Sequence, residues 1–256
     1  MNIIVCLKQV PGTTEVKINS QTHTLIRQGI KNVINPFDTY ALEEGVRLKE
    51  KHGGKVTVVA LDAPEVDDVL FTALAKGADR AVKIPINQAG LGTRASAKVL
   101  TEFFAAAGAM TPDTLLLPGS QAIDDLEGEV GPLLAAALNL PYIGVVCGVK
   151  SVDGKVTALK EFAGGLRGEF EVTLPAVLGI QSAEKPPRYV PVAKVRAVMK
   201  SAKIEEAALT PPDRPIQLNI ERMYKPEAAG RVQMFEGAPE EVADKLVEVL
   251  AKNSVI

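Results

Sequence analysis

Three consecutive leucines, Leu115, Leu116 and Leu117, run without polar alternation and stop at Pro118-Gly119. A strand written this way is covered on both faces, the condition of a strand inside a parallel sheet with helices above and below it. A loop with Ser120, Gln121, Ala122, Asp124 and Asp125 follows, then a helical pattern with Val130, Leu133, Leu134 and Leu138 on one side. In an open parallel sheet, ligands sit beyond the carboxyl ends of the strands. A helix N-terminus there offers unpaired backbone N–H groups to a phosphate. Asp124 and Asp125 can bond sugar hydroxyls or an adenine amine. The same acids equally suit an ordinary loop that caps a helix.

The rest of the first half repeats the strand-and-helix pattern. Residues 2–9 form a first strand, and Val10-Pro11-Gly12-Thr13-Thr14 carries turn chemistry. Segments 16–18 and 24–26 read as arms of a small hairpin. Asn35-Pro36-Phe37-Asp38 opens a helix: Asn35 suits the cap, Pro36 the first turn, and Asp38 adds negative charge there. Strands follow at 55–61 and 80–84, with a helix at 64–76 between them that Gly77 ends. A third helix starts near Thr93, and 142–149 is a fifth strand. This alternation predicts an α/β fold: an open parallel sheet with helices on both faces. Right-handed crossovers leave few arrangements, and the order 3-2-1-4-5 is expected. The first and fourth strands are then neighbours, and the loops leaving them share a switch-point crevice with the Asn35 helix entry.

After residue 149 the pattern changes. Asp153-Gly154 is a hairpin turn between 145–150 and 156–161. Segments 168–174 and 176–181 complete a set of antiparallel additions at one end of the sheet. Residues 182–191 form a polar, proline-bearing loop before a basic helix at 192–202. The expected division is a nucleotide-binding α/β domain over 1–206 and an extended arm over 207–256, ending in an amphipathic helix with Val242, Leu246 and Val249 on one side. Such an arm covers a partner or folds back on its own domain.

Composition excludes several classes. A net charge of −2 gives no basic field for nucleic acid. No apolar run approaches the roughly 20 residues of a membrane span. The start, MNIIVCLKQV, enters a strand directly and lacks the basic segment of a signal peptide, so a cytoplasmic or equivalent compartment is expected. Cys6 and Cys147 are single and widely spaced, which disfavours zinc, iron–sulfur and dithiol chemistry. There is no G-x-x-x-x-G-K-[ST] loop, no G-x-G-x-x-G fingerprint and no G-x-S-x-G elbow. The chain reads as a nucleotide holder without a visible catalytic apparatus.

Several ordered stretches carry a resemblance: NPFDTYALEEGVRLKEKHGG, ALAKGADRAV, GSQAIDDLEGEVGPLLAAALNLP, and LKEFAGGLRGEFEVTLPAVLGIQSAEKPPRYVPVAKVRAVMKSAKIEE. Together they resemble the beta subunit of electron-transfer flavoprotein, from the first strand to about Glu206. The resemblance implies an electron carrier rather than a classical enzyme, in a heterodimer with an alpha subunit that holds an FAD. The pair takes electrons from acyl-CoA or related dehydrogenases and passes them to a downstream oxidoreductase. It also implies a second nucleotide in this chain: AMP in ordinary members, FAD in electron-bifurcating, NADH-linked members. By position, the family's nucleotide contacts fall on Cys6, Asn35, Pro36, Phe37, Asp38 and Asp62. They continue over residues 120–131, with Ser120, Gln121, Ala122, Asp124, Asp125, Glu129, Val130 and Gly131. The dehydrogenase-recognition loop corresponds to 182–199.

The Val10-Pro11-Gly12-Thr13 loop, Gly131-Pro132 and the Phe235-Glu236-Gly237 tail resemble the bifurcating group, and FAD is the cofactor expected first. The Asp124-Asp125 pair resembles the AMP group. Here Leu126-Glu127-Gly128-Glu129 replaces a stretch that in the bifurcating group brings a hydroxyl and an amide to phosphate. A stand-alone ATP-binding module of the universal-stress type uses a similar sheet, but its Gly-rich phosphate loop is absent.

Overall fold

A computed structural model describes residues 1–12, 16–152, 155–209, 219–226 and 232–256. The chain opens with β1 (Asn2–Leu7), β2 (Gln9–Pro11), β3 (Lys17–Ile18), β4 (Leu25–Ile26) and β5 (Asn32–Ile34). Then come α1 (Pro36–His52), β6 (Lys55–Asp62), α2 (Val66–Lys76), β7 (Arg80–Asn87) and α3 (Thr93–Ala106). The run β8 (Thr114–Leu117), α4 (Val130–Leu138), β9 (Tyr142–Val152), β10 (Lys155–Glu161), β11 (Arg167–Val172) and β12 (Ala176–Ile180) follows. Last are α5 (Val192–Ser201), β13 (Glu205–Glu206) and α6 (Pro239–Lys252). The described residues form two compact units, one of 1–17 with 25–221 and one of 18–24 with 222–256.

In the first unit the sheet order is β11-β10-β9-β12-β8-β1-β6-β7-β13. The expected neighbourhood of the first and fourth strands is present: β1 pairs with β8 in parallel, Val5 opposite Leu117. On its other side β1 pairs with β6. The chain therefore steps one way through β6 and β7, then crosses back to β8, which makes the gap above β1 and β8 the switch point.

The expected order 3-2-1-4 holds, and the fifth strand lies one place farther out. The strand β12, read from sequence as an antiparallel addition, is parallel to both β8 and β9 and sits between them. Its burial explains the placement: all five residues of Ala-Val-Leu-Gly-Ile are buried, which an edge strand would not allow. The antiparallel additions are β10 and β11. The turn at Asp153-Gly154 lies outside the described residues.

Alternate residues of the central strands serve opposite faces. Ile3, Val5, Leu115 and Leu117 join Leu42 and Val46 of α1 and Val69 and Leu70 of α2. Ile4, Cys6 and Leu116 join Val99 and Phe104 of α3 and Leu134 of α4. Each strand is thus buried on both sides, as the leucine run requires. In the second unit, α6 carries Val242, Leu246 and Val249 at helical spacing. No helix among the described residues is long and apolar enough to cross a membrane.

Candidate functional site

The crevice begins where β1 ends. The backbone N–H of Lys8 donates to Asp38 Oδ2 at 2.7 Å, and the N–H of Gly119 donates to Asp38 Oδ1 at 3.1 Å. One carboxylate at the start of α1 therefore ties the outgoing ends of β1 and β8 together. Asp38 is the first-turn acid expected at this helix start, and it serves as a buried bracket, only 5% exposed. Burial pushes its pKa up to about 7, against the lowering effect of its hydrogen bonds. Gly119 must be glycine here: a Cβ would lie 2.9 Å from the backbone of Asp38.

Asn35 precedes α1 but makes no side-chain capping bond. Its Nδ2 donates to the Gln121 carbonyl at 2.9 Å, and its Oδ1 accepts from the Ile123 N–H at 3.2 Å. The Asn35 amide therefore stitches the loop after β8 to the entry of α1. The loop is also held from the other side: the Ser120 N–H donates to the Ile180 carbonyl at 2.8 Å, and Ser120 Oγ bonds the Gln181 side chain.

Lys8 then reaches the acids. Its Nζ donates to Asp124 Oδ1 at 2.8 Å and to Asp125 Oδ2 at 2.7 Å. Burial works to lower the lysine pKa, but the bonds to the two carboxylates outweigh it and hold the ammonium above its ordinary value. Asp125 Oδ1 also accepts the Glu127 N–H at 3.1 Å, which shapes the turn. The Val130 and Gly131 N–H groups open α4, which has no side-chain cap.

The other expected residues separate by role. Cys6 is a core residue: its thiol is buried and its pKa is driven up by desolvation and then by Asp38, so it stays protonated. Pro11 and Gly12 extend a two-stranded ribbon in which β2 pairs with β5, and the Gly12 N–H donates to the Lys31 carbonyl at 2.9 Å. Thr13 lies outside the described residues. Pro36 and Phe37 open α1, and the Asp62 carbonyl at the end of β6 accepts the Gln88 N–H at 2.8 Å. The Ala122 carbonyl accepts the Leu126 N–H. Glu129 is the residue before α4, and Val130 packs against the cluster beneath that helix. Gly131 is small because Tyr142 lies against it, with 2.9 Å between a Cβ and the ring.

Lys8, Gly119 and Gln181 are members of this site that the sequence reading passes over. The signal for Lys8 was its place, directly after the apolar run of a strand at the switch point. Next to it, Gln9 is buried and its Nε2 has no partner among the described residues.

The loop 182–191 is clamped onto α1. The Arg188 guanidinium donates to Glu43 Oε2 at 3.0 Å and to Glu50 Oε1 at 2.6 Å, while its backbone N–H donates to Glu43 at 2.9 Å. Arg47 pairs with Glu184 at 2.7 Å. This leaves Tyr189 and Val192, at 84% and 63% exposed, at the start of α5. A separate cavity of about 370 Å³ lies at the opposite ends of the strands, lined in part by Ile4, Phe103, Phe104 and Arg80. Several of its polar side chains are paired: Arg80 with Glu205, and Asn2 donates to Ala109 and Thr114.

With this geometry in hand, comparison with known proteins gives one direction. The model of the electron transfer flavoprotein domain matches residues 22–212. The chain is 33% identical to electron transfer flavoprotein subunit beta of Thermoanaerobacterium thermosaccharolyticum over the whole of both proteins. It is 31% identical to subunit CarD of the caffeyl-CoA reductase-Etf complex of Acetobacterium woodii, again over the whole of both. It is 36% identical to protein FixA of Sinorhizobium fredii over 62% of this chain and 56% of that protein.

Proposed function

Because the chain belongs to the family of electron transfer flavoprotein beta subunits, we propose that its switch-point crevice holds the adenine nucleotide of a heterodimer with an alpha subunit, and that this nucleotide is FAD. The observation that carries the reading is the convergence of Lys8, Asn35, Asp38, Asp124 and Asp125 beyond the adjacent ends of β1 and β8.

The residues present fit the group. Asp124 and Asp125 each spend one oxygen on Lys8, and their remaining lone pairs suit ribose hydroxyls or an adenine amine. The first N–H groups of α4 suit a phosphate. The β2–β5 ribbon supports FAD over a mononucleotide. Its three residue pairs carry the chain roughly 10 Å past β1, a length that matches a second nucleotide half.

Bound flavin supplies one- and two-electron chemistry that no side chain has. The chain's own residues bind and orient. Asp38 and Asn35 hold the loop after β8 in register with β1. Cys6 stays a neutral thiol under the site. Electrons pass from a dehydrogenase through the heterodimer to a downstream oxidoreductase. Splitting of electron pairs between two acceptors becomes possible with a flavin in each subunit.

AMP is the second reading. It is favoured by the carboxylates Glu127 and Glu129, which stand close in sequence to the N-terminus of α4 and disfavour a long polyanion. The test is to denature the purified heterodimer and identify what it releases. Two flavins per heterodimer support FAD here, and one flavin with one AMP supports the second reading. A heterodimer without a nucleotide assignable to this chain overturns both.

A further inference from the structure

The segments that frame the crevice are 8–12, 35–38, 62–65 and 119–131, and Lys8 is the one cationic side chain among them. An ammonium has three N–H donors. Two are placed, on Asp124 at 2.8 Å and Asp125 at 2.7 Å, and the third has no assigned acceptor in either contact. The lysine side chain is one-third exposed, and its backbone is fixed by Asp38. The two carboxylate contacts hold the ammonium at the crevice mouth.

Adjacent carboxylates repel each other, and a shared cation removes that repulsion. Lys8 thus has two consequences in one place. It aligns Asp124 and Asp125 as acceptors, and it provides the one cationic donor where every other charged side chain of the framing segments is a carboxylate.

We propose that Lys8 is the specificity-determining residue of the crevice: it holds the Asp124–Asp125 pair for the sugar and directs its remaining N–H to the phosphate next to that sugar, so that the site selects nucleotides over nucleosides. This rests on the nucleotide reading above and deepens it. A second cation at the α4 N-terminus would make Lys8 redundant, and residues 119–131 contain none.

The test uses the full chain purified with its alpha subunit and stripped of released nucleotide, titrated with AMP and with adenosine. Wild type binds AMP more tightly. Lys8→Gln is expected to shrink the AMP-to-adenosine preference roughly ten- to a hundredfold, the range of one charge-assisted hydrogen bond. Lys8→Arg keeps most of the preference. Asp124→Asn weakens both ligands and leaves their ratio within about threefold, as expected for a sugar contact with a similar charged partner. An unchanged ratio in an assembled Lys8→Gln heterodimer overturns the proposal while leaving nucleotide binding intact. If wild type binds AMP, adenosine and FAD not at all, the nucleotide reading itself fails and takes this proposal with it. Should Lys8→Gln not assemble, the wild-type salt response decides. An AMP affinity that falls with salt while adenosine's does not supports the role, and equal responses overturn it.

Discussion

Asn35 donates through Nδ2 to the carbonyl of Gln121, 86 positions later in the chain, at 2.9 Å. The same amide accepts from Ile123, so both of its functional groups are spent on one loop. Asn35→Asp keeps the acceptor, loses the donor and adds a charge at the crevice. The expected cost is about 1–3 kcal/mol, seen as a lower denaturation midpoint and a reduced nucleotide content in the purified heterodimer.

Asp38 predicts a pH dependence. Its pKa is pushed up from 3.8 to about 7 in the folded protein, chiefly by burial. The folded state therefore binds a proton more readily than the unfolded chain between those values. This group's contribution is fully favourable below about 4 and is lost as pH rises through about 7. Asp38→Asn removes that slope. It also costs stability at every pH, because an amide cannot accept both the Lys8 and Gly119 N–H groups. Denaturant titrations at pH 5 and pH 8 should show a smaller difference in the variant than in wild type. A wild-type difference that Asp38→Asn leaves untouched would assign the slope elsewhere.

Arg188 holds the loop before α5 through Glu43 and Glu50. Burial tends to raise the Glu43 pKa, but the Arg188 bonds overcome it and hold the carboxyl below its usual range. That contribution is present above the ordinary glutamate value and lost as pH falls. Arg188→Gln is expected to cost about 1–3 kcal/mol near neutral pH and less in acid. Limited proteolysis should cut within 182–191 faster in the variant.

Val145 sits at φ 58°, in the left-handed region that disfavours a β-branched residue. It lies where the pairing register between β9 and β12 shifts, with Gly144 and Val145 between the pairs Ile143–Leu178 and Val146–Ile180. Val145→Gly relieves about 1–2 kcal/mol of strain against 0.4–1 kcal/mol of extra freedom in the unfolded chain. A net gain of roughly 0.5–1 kcal/mol is expected by chemical denaturation. Loss of stability would mean that the exposed valine side chain makes contacts that outweigh its backbone.

The parts of the fold legible in the sequence are those set by local pattern. Leu115 to Leu117 announce a strand covered twice, and Asn35-Pro36 announces a helix start. The position of β12 was not legible, because an apolar five-residue run does not say which neighbours it pairs with. Within the site, Asp124 and Asp125 were visible as polar residues after a strand. Lys8 was not, since a lysine at a strand end usually faces solvent, and only the parallel pairing of β1 with β8 brings it to the acids. Asp38 looked like a helix-dipole partner. It is buried because Gly119 lets β8 approach α1 closely enough to enclose it.

The central claim is that one nucleotide occupies the gap between the outgoing ends of β1 and β8. Hydrogen–deuterium exchange of the heterodimer, stripped and then reloaded with the nucleotide it releases, tests this directly. Protection on reloading in both 8–12 and 119–131 is the predicted result. Protection confined to other parts of the chain, with both of these segments unchanged, would contradict it.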